Sequence, residues 1–253
     1  MSVTLDSLNA GWKSVCKTVL GQQVGDLDNF SAYLAQNTKP LLKEKSDFSK
    51  KDIYTASIYS KGSNFATYDD KPELGKIKLD VNSLNDLDSI LERLAEISWY
   101  CGNKVLGKSS NCEQVDNITD SHYVYNSHEI LTSNYIAHSE LMINCKYLFG
   151  CVSNGETQYG IKVSESFRST RLFESTLMLN SSDMYYCYYA RGCADCMFSF
   201  NQHSKRRLIG NNQLDAGKYK QYKAELLEQV SSNLKSKKEV LGIAQIMGAE
   251  YGK

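Results

Sequence analysis

The chain has 253 residues, enough for one large domain or two small ones with a real core. Hydrophobic residues make up 42% and charged residues 23%, an ordinary soluble balance, and Lys+Arg equals Asp+Glu at 29 each, which excludes a globally basic surface for nucleic acid. The opening MSVTLDSLNAGWK lacks the basic-then-apolar layout of a signal peptide, and no run of about eighteen apolar residues exists, so export by a signal peptide and a membrane span are not expected.

In chain order, Thr4 is placed to cap a helix that carries Leu5, Leu8, Trp12, Val15 and Val19 on one stripe and stops at Gly21. A short helix is expected from Asp26, burying Leu27, Phe30 and Leu34 before Pro40. KDIYTASIYS and NFATYDD read as two strands joined at Gly62, and GKIKLDV as a third. Ser83 opens a stronger helix with Leu84, Leu87, Leu91, Leu94 and Ile97, and SWYCGNKVLG leads onward. Residues 1–117 are read as an α/β capping and docking region.

From Ser121 the chain divides into hexads: SHYVYN, SHEILT, SNYIAH, SELMIN, CKYLFG. The first position is Ser121, Ser127, Ser133, Ser139, Cys145 and Cys151, and after two weaker frames at Thr157 and Val163 it returns as Ser169, Ser175, Ser181, Cys187 and Cys193. Thirteen frames hold phase and eleven begin with Ser or Cys, which chance does not produce. The fourth position is aliphatic in most frames (Val124, Ile130, Ile136, Met142, Leu148, then Leu172, Met178, Met184), and the fifth is mostly apolar, as at Leu131, Phe149 and Leu179.

Six is a multiple of the strand's period of two and does not close on a 3.6-residue helical turn. The fold class expected is therefore mainly β: a parallel β-solenoid over residues 118–200. Small Ser and Cys fill tight inward places beside corners, and the aliphatic residues fill the middle. No proline follows Pro72, which suits unbroken ladders. Coils of twelve or of eighteen residues both fit the hexad; the spacing of Tyr123, Tyr135, Tyr147 and Tyr159 favours twelve. SNGETQ (153–158) is expected to be a loop thrown out of one coil. Past Phe200 the hexad fades, and residues 201–253 are read as a closing segment followed by helices at 215–231 and 236–248, with Leu226, Leu227, Val230, Val240, Leu241, Ile243 and Ile246 as apolar contacts.

No chemical motif emerges. Eight Cys without an export signal are read as reduced thiols, and the CxxC of Cys193 and Cys196 has no second pair to complete a zinc site. His122 and His128 share a polar hexad position and are read as surface residues, not ligands. Lys205, Arg206 and Arg207 form one short basic run, read as solvated. No catalytic residue, cofactor or metal ligand is assigned.

The stretch from SWYCGN (98–103) through the hexads to DCMFSFNQHSKRRLIGNNQL (195–214), with Ile209, Gly210, Asn211 and Leu214 in an IGN-x-x-L/Y run, resembles a Ser/Cys/Asn-rich hexad-repeat β-solenoid family of tailed phages, other viruses and uncultured microbes. The resemblance covers about the last 155 residues, and this chain has fewer Cys than many relatives. It implies a non-enzymatic structural or interaction protein: a virion component, capsid- or tail-associated, whose partner is a viral shell or tail protein or a second copy of itself. The expected location is then the virion or the cytoplasm. Two alternatives stand beside it: a hexad-repeat acyltransferase, which would lead its hexads with an aliphatic residue and place a catalytic His on an extruded loop, and a cytosolic β-helical protein-binding module.

Overall fold

The computed structural model describes residues 2–56, 63–83, 85–143, 146–154, 157–167 and 169–248. It is a parallel β-solenoid, flanked by a small α/β region before it and helices after it.

From Ser110 onward every parallel pair along the solenoid is offset by twelve residues, as in His122↔Asn134, Lys146↔Gln158, Ser175↔Cys187 and Cys196↔Leu208, while the first pair, Val105↔Ile118, is offset by thirteen. The coil is thus twelve residues, two hexads long. Paired coils run from Val105 to Ile209, past both ends of 118–200. Gly155 and Glu156 of SNGETQ lie outside the described residues; on either side of them the pairs Asn154↔Met142 and Lys146↔Gln158 keep the offset of twelve, so the coil length does not change there.

Inside the hexad lies a rhythm of three. Ser121, Val124, Ser127, Ile130, Ser133 and Ile136 are buried at every third position. Tyr123, Asn126, Glu129, Thr132, Tyr135 and His138, also three apart, have φ between 45° and 60°. Each side of a coil is therefore three residues long: one in, one out, one left-handed corner. Left-handed backbone ordinarily favours glycine or asparagine. Here ladder bonds before and after each corner hold tyrosine, histidine and threonine in it. Four sides of three make the twelve-residue coil, and the hexad appears because inward positions alternate small and large. Aliphatic side chains then face each other from opposite sides, with Ser or Cys on the two sides between them, and a bore this narrow holds no more.

Four columns of outward residues run the length of the solenoid. The first contains Ala137, Phe149, Ile161, Phe173, Tyr185 and Met197, all at most 2% exposed. Their burial comes from outside the bore. Helix α1 (Val3–Leu20) lies along this side and sets Leu8, Trp12, Val15, Cys16 and Val19 against it. Trp12 meets Phe149 edge-on at 5.4 Å and donates its indole N–H to Gly25 O at 3.1 Å. The N-cap is Ser2, whose hydroxyl accepts from Leu5 N, in place of Thr4, while Gly21 ends the helix with φ 83° as read. The segment after it, in 3₁₀ and single α turns over 27–37, adds Phe30, Tyr33 and Leu34 to the same core. The residue at 150 must be Gly: its φ is 72°, and a Cβ would lie 2.5 Å from Leu34 O. So α1 is a lateral cover, not an end cap.

The solenoid's first end is covered by strands β1 (Leu42–Lys45) and β2 (Asp52–Thr55), an antiparallel pair. Asn103 ties them on, accepting from Tyr54 N and donating to Asp52 O, each at 2.8 Å. Strands β3 (Asn64–Thr67) and β4 (Trp99–Gly102) pair in parallel. The expected join at Gly62 lies outside the described residues. GKIKLDV forms no strand; residues 71–74 are a helical turn and 81–83 a 3₁₀ turn. Helix α2 spans Leu87–Ile97, capped by Asp86 and not by Ser83. At the far end a hairpin, Ile209↔Asn212, closes the last coil. Helix α3 (Ala216–Lys237) then returns along the covered side, burying Tyr219, Val230 and Leu234. A single turn, Ile243–Ile246, buries Ile243, but Leu241 and Ile246 are exposed, so the second C-terminal helix is much shorter than 236–248.

Candidate functional site: the uncovered side and the exposed helix

The slot read from the hexads is a hydrogen-bonding device. The hydroxyls of Ser121, Ser127, Ser133, Ser139 and Ser181 each donate to the carbonyl two residues back, at 2.8–3.1 Å. They also accept the N–H of the same slot one coil on: Ser133 N to Ser121 Oγ at 3.0 Å, Ser139 N to Ser127 Oγ at 3.1 Å, Cys193 N to Ser181 Oγ at 3.2 Å. At this slot the ladder is carried by side chains. Where Cys stands, the thiol keeps the donor half: Cys187 to Tyr185 O and Cys193 to Arg191 O, both 3.5 Å. Cys151 and Ser175 are buried in the same slot, and Ser169 pairs in register. Cys145 lies outside the described residues.

The slot has further members that the hexads did not credit. Ser199, six residues after Cys193, donates to Met197 O at 2.8 Å and accepts from Asn211 N. Upstream, Ser109 accepts from Ser121 N at 3.0 Å.

Cys193 and Cys196 lie on adjacent sides of one coil, both inward and buried. Burial pushes the Cys187 thiol up to about 12 and Cys196 up to about 11, so both stay protonated. Among the described residues no group of three or more His, Cys, Asp or Glu is placed to hold a metal. His122 is partly exposed and bonds Ser110 Oγ at 2.7 Å. His128 is not a surface residue: it points outward from its coil, yet the segment at Lys39 covers it and leaves it 4% exposed. His138 is buried too, beside Asn126 at 2.9 Å, and burial lowers its pKa to about 4, so it is neutral.

Two buried ionic clusters were not legible beforehand. Lys162 and Glu174, one coil apart at the same corner, pair at 3.3 Å and are 1% and 3% exposed. Glu174 accepts from Tyr33 Oη at 3.0 Å and from Ile243 N at 2.9 Å, while Lys162 donates to Gln36 at 2.5 Å and lies 4.5 Å from the Tyr33 ring centre. Burial pushes the lysine pKa down and the carboxylate pKa up, opposed by their mutual attraction. The cluster joins the N-terminal segment, two coils and the C-terminal turn. Nearby Tyr159, Gly160 and Ile161 all have positive φ, 74°, 159° and 148°, a departure from the regular coil that carries Lys162 to its partner. The second cluster centres on Asp116, 0% exposed, which receives Lys104 Nζ at 2.9 Å, the Tyr100 hydroxyl, and the N–H groups of Ala56 and Lys104 at 3.2 Å. It fastens the α/β region to the first coils. Both clusters spend their charges internally.

What remains open is a side and a helix. In the third outward column, Leu131 and Leu179 are each 42% exposed, and Arg191 and His203 continue it into solvent. Tyr189 stands beside it, 60% exposed. The fifth hexad position, read as mostly apolar, is thus divided: Ala137, Phe149, Ile161 and Phe173 lie under the helical cover, while Leu131 and Leu179 face water.

Helix α2 buries no residue. Leu87, Leu91, Leu94 and Ile97 are 67%, 55%, 38% and 38% exposed along one stripe. Asp88, Glu92 and Glu96 are exposed on the same helix, with Arg93 held by Glu96 at 2.8 Å. Four tyrosines do not join this open surface: Tyr33, Tyr185, Tyr186 and Tyr219 are buried between the solenoid and its cover.

No protein family, curated protein or solved structure matches the chain.

Proposed function

We propose that this chain is a non-enzymatic structural and interaction protein, a component of a virus or phage particle associated with its shell or tail. One observation carries the reading: the solenoid is finished on one side by its own helices, while Leu131 and Leu179 on another side and the leucines of α2 stand open to solvent. A rigid ladder needs little ordering to bind a neighbour, so an open side converts its burial into affinity efficiently. Exposed leucines in a column, and on a helix that buries nothing of its own, are what an assembly interface requires. The two ionic clusters support the same reading, since Lys162, Glu174, Lys104 and Asp116 are committed to holding segments together. The particle context rests on the resemblance of residues 98–214 to the viral hexad-repeat family.

The test is to fractionate the natural source and follow this protein by mass. Co-purification with very large particles, in fixed ratio to a shell or tail protein, is the expected result. Recovery solely as free protein would overturn the particle reading.

A further inference from the structure

The coils nearest the far end carry aromatic rings and cations side by side. Tyr188 and Phe200 pair in register in one outward column, and Arg191 and His203 pair in register in the next. Tyr189 sits at the corner between the two columns, with φ 49°, and is 60% exposed. The three rings form one run: Tyr188 is 6.4 Å from Tyr189 and 6.3 Å from Phe200, centre to centre. Tyr188 and Phe200 are half-buried, whereas Arg191 and His203 are exposed. Lys205 stands twelve residues after Cys193, where earlier coils hold Ser or Cys, and it is exposed, as is Arg206 beside it. Among the described residues no carboxylate pairs with Arg191, Lys205 or Arg206. By register, the two columns and their corners hold no Asp or Glu between Thr176 and Gln213. Asp183 and Asp195 lie at a corner further round, where Arg171 meets Asp183 at 3.5 Å.

We infer that this patch binds single-stranded nucleic acid. The cations, with no carboxylate among them, complement a phosphate backbone, and the exposed rings offer a face on which any unpaired base stacks. Arg191, Lys205 and Arg206 take the phosphates; Tyr189, with Tyr188 and Phe200 behind it, takes the bases. A duplex keeps its bases stacked inside and cannot use the rings. The chain as a whole is neutral, so the attraction is confined to this end of the solenoid. The short basic run at 205–207 thus has a place on a surface, except for Arg207, which sits at the corner in register with Asp195. A ladder of paired coils holds the rings and cations in position before the strand arrives, which lowers the ordering cost of binding. This inference goes beyond the particle reading and does not rest on it.

The experiment is fluorescence anisotropy of a labelled oligothymidylate of about twelve nucleotides, titrated with the purified full chain up to about 100 μM, in about 50 mM salt and again in about 200 mM. The wild type is expected to bind, and to bind more weakly as salt rises. Arg191→Gln is expected to lower the slope of log K against log salt by about 0.7, the share of one phosphate contact on a single strand. Tyr189→Ala is expected to weaken binding about 5- to 150-fold, the worth of one stacked base, with the slope unchanged. Lys76→Gln, at an exposed lysine of the α/β region, is expected to change nothing. All three substituted positions are exposed, so circular dichroism and the denaturation midpoint should not change. The same oligonucleotide annealed to its complement is expected to bind more weakly than the single strand.

A wild type that does not bind the strand in about 50 mM salt overturns the inference. So does a Tyr189→Ala variant that binds like the wild type, because charge alone would then suffice. Polyglutamate that displaces the strand as well as unlabelled oligothymidylate does also overturns it, and makes the patch a dock for an acidic protein segment. Lys76→Gln weakening binding as much as Arg191→Gln has the same force, since the contact would then not be at this end. The two proposals fail separately. A chain that binds no strand but co-purifies with particles leaves the particle reading intact, whereas a strand-binding chain absent from particles leaves this one.

Discussion

Replacing Ser127 by alanine removes two contacts with one oxygen. The hydroxyl donates to Tyr125 O at 2.8 Å and accepts from Ser139 N at 3.1 Å. Ser127 and Ser139 are themselves 0% and 2% exposed, so no water substitutes, and the Ser139 N–H is left without its partner. We expect Ser127→Ala to cost about 1–3 kcal/mol, the penalty for an orphaned buried group, read from the denaturation midpoint. Ser127→Cys should cost less, because Cys187 and Cys193 already keep the donor bond in this slot. Equal losses for the two variants would mean that the slot selects for size alone.

Among the elements, the fastening is ionic where the chain crosses itself. Lys162 and Glu174 hold the N-terminal segment through Tyr33 and Gln36, and the C-terminal turn through Ile243 N. Lys162→Met strips the partner from a buried carboxylate, and we expect a loss of about 3–5 kcal/mol. Adding Glu174→Gln should recover most of it, since the amide oxygen still accepts from Ile243 N and the amide NH2 donates to Tyr33 Oη, with no buried charge. Amide exchange at Ile243 gives a second readout: faster in the single variant, restored in the double. A double variant no better than the single would show that the charge itself, and not its isolation, is what the fold uses.

At the scale of the whole molecule, the solenoid has two unlike sides. Phe149 is fully buried beneath Trp12 of α1, while Leu131, also an outward residue, is 42% exposed. Phe149→Ala is expected to cost about 3–5 kcal/mol, as large-to-small core changes do, and Leu131→Ala no more than about 0.5 kcal/mol in the isolated chain. Chemical denaturation of both checks the asymmetry. A large loss at Leu131 would mean that this side is already covered within a single copy.

Much of the architecture was written locally. Ser127, Ser133 and Ser139 recur in phase because each coil must place a small hydrogen-bonding group at its two opposite inward slots, and such a repeat is visible without coordinates. The phase even gave the twelve-residue coil a trace, in Tyr123 and Tyr135, whose rings stack 5.0 Å apart at 7°. Helix α1 and its Gly21 stop were equally plain, because capping and apolar spacing are local.

The sequence by itself thus determined the repeat, its strand character and the flanking helices. Only the tertiary structure decided which outward residues are buried. Leu131 and Phe149 occupy the same hexad position, and nothing local separates them; α1, far away in the chain, covers one and leaves the other to water. The same holds for Lys162 and Glu174, whose letters look like ordinary surface charges until Tyr33 and Ile243 close over them. Burial is a property of what arrives from elsewhere in the chain, and a period along the sequence cannot encode it.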